Sequence, residues 1–146
     1  MKGEKLFWGA GTELTISYQD DGSIDHGAIR HMVDWQIQKG IRYLFVNGIS
    51  SESYMMTYEE QESLAKTMCK ETRGRVPVMC NVMIPGYRDA AEMIKRYEAA
   101  GADAICITPP YLAEYPEKAL EEYFAALIES SILPTYIYNA PQTHNM

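Results

Sequence analysis

Short runs of apolar residues alternate along this chain with stretches where apolar residues recur at helical spacing. The clearest runs are Tyr43-Leu44-Phe45-Val46-Asn47, Val76-Pro77-Val78-Met79-Cys80-Asn81, Ala104-Ile105-Cys106-Ile107-Thr108 and Thr135-Tyr136-Ile137-Tyr138-Asn139. A weaker one lies between Leu6 and Ile16. Most are continuous rather than alternating, as strands covered on both faces tend to be. Between them, four helical faces can be read. They are Ile29, Met32, Val33 and Ile37; Leu64, Ala65 and Met68; Ala90, Met93, Ile94 and Tyr97; and Leu120, Phe124, Leu127 and Ile128. Thr57-Tyr58-Glu59-Glu60 has the form of a capping box. Gly40, Gly74 and Gly101 stand where the first three helices should close on a left-handed residue.

Strands separated by a helix are parallel neighbours joined by right-handed crossovers. The pattern predicts four strand-helix units and a fifth strand, an α/β fold. Periodicity alone leaves open whether they form a barrel or a doubly wound sheet. Pro109-Pro110 and Pro134 fall at strand edges, where proline is tolerated.

The length of 146 residues fits a single domain, 1–146. It falls short of the roughly 250 residues of a complete eight-fold βα barrel. The net charge is -7, and no basic patch suited to nucleic acid or an anionic membrane is visible. Cys69, Cys80 and Cys106 have no C-x-x-C spacing and read as reduced, mostly buried small residues. Neither a signal peptide nor a membrane span is apparent, so a cytoplasmic protein is expected. His26, His31 and His144 form neither a metal set nor a triad. No G-x-G-x-x-G or G-x-x-x-x-G-K-[ST] is present, which argues against a dinucleotide or P-loop site. No metal or cofactor is expected.

In both α/β architectures chemistry sits at the carboxyl ends of the strands. Those ends carry Asn47-Gly48-Ile49-Ser50-Ser51-Glu52, Thr108-Pro109-Pro110-Tyr111 and Tyr138-Asn139-Ala140-Pro141. Gly22-Ser23-Ile24-Asp25 opens the first helix. Singly each motif is weak. In this order they resemble the dihydrodipicolinate synthase / N-acetylneuraminate lyase family of class I aldolases. That family has G-x-[ILV]-D, G-T-T-G-E or G-S-T-G-E, T-P-x-Y and Y-N-x-P at the corresponding places.

The resemblance implies a partial (βα)8 TIM barrel, the amino-terminal half, of about four βα units plus a fifth strand. It implies a lyase that makes or breaks a carbon-carbon bond through a lysine imine of a small 2-oxo acid such as pyruvate. Tyr138 matches the tyrosine that moves protons at the imine centre. Tyr111 matches the tyrosine that completes its relay. Ser50, with Ser51 and Gly48 in the same loop, matches the group that holds the substrate carboxylate, and Glu52 matches the loop glutamate. A homo-oligomer is also implied.

The sequence departs from the family pattern at several points. Ile49 stands where a relay hydroxyl is drawn, and Ser51 where the loop has glycine. Ile16-Ser17 replaces a T-P pair, and Asn81-Val82-Met83-Ile84-Pro85 replaces a glycine-rich stretch. Thr143 stands where dihydrodipicolinate synthases carry an arginine for a distal carboxylate, which argues against aspartate semialdehyde as partner. The imine-forming lysine belongs on the next strand. The seven lysines here, Lys2, Lys5, Lys39, Lys66, Lys70, Lys95 and Lys118, fall in the amino-terminal segment or on helices and their ends. The expectation is therefore a truncated lyase, inactive alone. Two alternatives remain: a non-catalytic half barrel for binding or assembly, and a half completed by a partner chain.

Overall fold

Two helix starts are built by side chains. Asp25 accepts from the Ala28 N–H at 2.9 Å and opens α1, His26–Gln38. Thr57 and Glu60 bond reciprocally across the start of α2, Tyr58–Thr72, the capping box read from the sequence. α3 is Tyr87–Ala100 and ends on Gly101, whose φ of 94° is open to glycine without strain. α4 is Glu117–Ser130. A computed structural model describes residues 7–140 of the chain.

The strands are shorter than their apolar runs: β1 Gly11–Glu13, β2 Tyr43–Val46, β3 Val78–Val82, β4 Ala104–Ile107 and β5 Thr135–Ile137. Two of the boundaries have a clear local cause. Pro77 has no N–H for the ladder, so β3 begins after it, although its carbonyl accepts from the Leu44 N–H at 3.0 Å. β2 stops at Val46 because Asn47 turns left-handed at φ 61°.

All five strands are parallel and their order is β1-β2-β3-β4-β5. A doubly wound sheet reverses its strand order at a switch point. This sheet does not, and the apolar faces of the four helices pack into one cluster with Leu44, Val46, Val78, Cys80, Val82, Ile105 and Ile107. The opposite face carries its own smaller cluster, Met79, Ala104 and Cys106, flanked by Phe7, Phe45 and Tyr138.

The sheet also curls. In a flat sheet β2 and β5 would lie about 14 Å apart, three spacings of roughly 4.8 Å. Instead the rings of Phe45, on β2, and Tyr138, just after β5, stack at 6.1 Å between centroids. Phe7 bridges Tyr43 and Tyr136 edge-on at 5.4 and 5.6 Å. Sequential parallel order, helices outside and a curled inner face define a partial (βα)8 barrel.

The helix faces agree with the apolar periodicity except at one position. Ile128 is exposed while Leu127 and Phe124 are buried. At 3.6 residues per turn Ile128 lies about 80° around the helix from Leu120, outside the stripe.

Candidate active site

The carboxyl ends of β2, β3 and β4 are joined by a buried polar ladder. Thr108 Oγ1 donates to Asn81 Oδ1 at 3.0 Å, and Asn81 Nδ2 donates to the Asn47 carbonyl at 3.2 Å. Asn47 Nδ2 in turn donates to the Gln61 carbonyl at 2.9 Å and to the Tyr97 hydroxyl at 2.7 Å. The Tyr97 hydroxyl donates to Gln61 Oε1, and Gln61 Nε2 donates to the carbonyls of Ser53 and Met56. Burial holds the Tyr97 phenol well above its usual range, so it stays a donor. This network ties the loop after β2 to α2 and α3 and sets its shape.

On the inner face, Tyr138 is positioned by its own N–H, which donates to the Ile107 carbonyl at 2.9 Å, and by the stack on Phe45. With Gly11, Thr12, Glu13, Tyr43 and Phe45 it lines a cavity of about 220 Å³. The Tyr138 phenol is shifted upward, chiefly by desolvation, then by the Glu13 carboxylate and by Cys106. It is therefore a neutral phenol over the ordinary pH range.

The loop and β1 meet through Glu13. Its Oε1 accepts from the Ser51 N–H at 3.1 Å and from Ser51 Oγ at 3.3 Å. Ser51 is buried and its Oγ also lies 3.2 Å from the Leu14 carbonyl. Gly48 makes room for this arrangement. A Cβ there would stand 2.3 Å from Glu13 Oε1 and 2.6 Å from Phe45 Cε1. The left-handed residues of the loop are Asn47 and Glu52, and Gly48 is required for close approach.

The other expected site residues are placed differently. Ser50 is exposed at the loop tip and Ser51, its neighbour, faces the sheet. Tyr111 is half-buried after Pro109-Pro110 and lies near Tyr58, outside the cavity that Tyr138 lines. Glu52 is exposed and opens the 3-10 turn Ser53–Met55. Among the described residues the lysines are Lys39 at the end of α1, Lys66 and Lys70 on α2, Lys95 on α3 and Lys118 on α4. None lines the Tyr138 cavity. Pro141 and Thr143, with Lys2, Lys5 and His144, lie outside the described residues.

Glu13 and Asn81 belong to none of the strand-end motifs. Asn81 is a buried polar residue inside a continuous apolar strand run, and such a residue must find a partner, which is the signal that marks it. Glu13 lies in the weaker first run and carries no such signal.

The model of the dihydrodipicolinate synthetase family matches residues 7–146. The chain belongs to this family. It is 33% identical over 136 residues to the 4-hydroxy-tetrahydrodipicolinate synthase of Chelativorans sp. (strain BNC1), a match covering 93% of this chain and 46% of that one. The corresponding synthase of Maridesulfovibrio salexigens is 35% identical over 135 residues, covering 92% of this chain and 46% of the other. The chain thus spans about half the length of the curated relatives it matches. Among solved structures, YagE, a prophage protein of the dihydrodipicolinic acid synthase family from E. coli K12 in complex with pyruvate, superposes with a TM-score of 0.92. The identity is 28%, with 96% of this chain and 47% of YagE covered. Among the described residues no helix is long and apolar enough to cross a membrane.

Proposed function

We propose that residues 1–146 are a single domain, the amino-terminal half of a TIM barrel, which supplies one wall of a class I aldolase site. The reaction is carbon-carbon cleavage or formation next to the imine of a small, pyruvate-like 2-oxo acid. Tyr138 is the proton carrier, positioned over the cavity as a neutral phenol. The loop from Gly48 to Ser51 receives the substrate carboxylate, and Tyr111 serves the relay from outside the cavity. The observation that carries this reading is that the loop already holds a carboxylate through a backbone N–H and a hydroxyl, beside Tyr138.

The amine that forms the imine comes from outside this chain. Five of the seven lysines sit on helices or at a helix end, away from the strand ends, and the other two are Lys2 and Lys5. On this reading the chain is inactive alone; a cytoplasmic setting and a homo-oligomer are part of the same proposal, drawn from the family resemblance. Trapping with borohydride and labelled pyruvate tests the chemistry. The chain alone yields no adduct. The same residues fused to a following barrel half that carries a lysine on its first strand yield one. An adduct on any of the seven lysines overturns the assignment, and so does failure of the fused protein to be trapped when it is folded.

A further inference from the structure

A site that receives the carboxylate of a 2-oxo acid should offer empty donors. Here both donors of one loop residue, Ser51, are engaged. The Ser51 N–H donates to Glu13 Oε1 at 3.1 Å, and Ser51 Oγ lies 3.3 Å from the same oxygen and 3.2 Å from the Leu14 carbonyl. The arrangement is built from both sides. β1 pairs with β2 in a register that sets Glu13 opposite Phe45, the last inner-face residue of β2 before the loop. The absence of a side chain at Gly48 then leaves the volume that the Glu13 carboxyl group fills. Ser51 is buried, so its N–H has no bulk water to turn to and depends on this partner. The same carboxylate borders the cavity under Tyr138.

We propose that Glu13 is the specificity-determining residue of this site: its carboxylate occupies the loop's own carboxylate seat, and a 2-oxo acid binds only by displacing it. The inference rests on the reading of the loop as the place where the substrate carboxylate docks, and adds the competitor. Two carboxylates cannot share one N–H and one hydroxyl without mutual repulsion in a partly dehydrated pocket. An incoming acid must therefore move Glu13 off Ser51. Because Glu13 stays tethered on β1, it competes at a high effective concentration. The consequence is a chain that binds pyruvate weakly and discriminates against ligands whose acid group cannot reach past β1.

The test is pyruvate affinity, measured by NMR titration of the wild-type chain, Glu13→Gln and Glu13→Ala, with Ser51→Ala added in the Glu13→Ala background. Glu13→Gln keeps the shape and removes the charge, so it guards against a packing defect in Glu13→Ala. The expected result is affinity tightened about tenfold or more in Glu13→Ala, with a smaller gain in Glu13→Gln. Ser51→Ala should cancel most of the gain. Equal affinity in wild type and both Glu13 variants overturns the inference while leaving the 2-oxo acid reading intact. Weaker binding in both variants does the same. No binding by any of these proteins removes the 2-oxo acid reading, and the inference with it.

Discussion

Asn81 is the residue on which the rim of the sheet turns. It accepts from Thr108 and donates to the Asn47 carbonyl, so it ties three strand ends with one side chain. Replacing it with alanine leaves a buried hydroxyl and a buried carbonyl without partners. The expected loss is about 1–3 kcal/mol of stability, read as a fall in the urea midpoint at unchanged slope. A loss no larger than that of a surface substitution would show that the ladder is dispensable. Cys106 offers a second check at this scale. Burial on the inner face pushes its thiol from 9.0 up to about 12, a backbone hydrogen bond partly opposing the rise. The folded state thus keeps a proton that the unfolded chain releases. The stability this contributes is full below pH 9 and drains away as pH climbs toward 12. By pH 10.5 the loss should be about 2 kcal/mol. Thermal unfolding followed from pH 8 to 10.5 should show a shallower decline in Cys106→Ala than in the wild type; parallel declines would contradict the burial argument.

The elements show what apolar spacing can and cannot announce. The α2 face of Leu64, Ala65 and Met68 is buried as read, and the capping box at Thr57 is formed in full. Both signals are local, each contained within one helix. Thr57→Ala should cost about 1 kcal/mol and fray the first turn of α2, seen as faster amide exchange at Tyr58 to Glu60. Unchanged exchange there would mean that packing alone holds the helix start. Glu13 was not legible in this way. Its partner Ser51 lies 38 residues on, and nothing within β1 announces the contact. Likewise the sequence says of His26 only that it joins no metal set or triad, yet it ties α1 to α2 through Ser63 Oγ at 3.2 Å and Thr67 Oγ1 at 2.8 Å. The strand runs predicted the sheet, but strand ends depended on Pro77 and the left-handed Asn47, which local backbone chemistry decides. The choice between barrel and doubly wound sheet needed the family motifs, because both share one periodicity.

At the scale of the whole molecule, β1 and β5 are the outer strands of the five-stranded sheet. Unpaired strand edges and apolar surface favour association. Around β5 the exposed residues include Ile132, Tyr136 and Ile137, with Ile137 half exposed at 50%. The purified chain is therefore expected to sediment as a dimer or larger species at micromolar concentration. A single compact monomer under those conditions would contradict this.

The inner face, between the loop after β2 and Tyr138, is the site proposed for a 2-oxo acid. The outer surface provides an alternative: a cavity of about 370 Å³ between α1 and α2, lined by Arg30, Lys66 and Lys70 together with Glu71, where the basic side chains offer a small anion a second place. Titration of the labelled chain with pyruvate, followed residue by residue by 1H–15N NMR, separates the two. The expected shifts concentrate at Gly48, Ser50, Ser51 and Tyr138. Shifts confined to Arg30, Lys66 and Lys70, with the loop and Tyr138 unmoved, would contradict the proposed site.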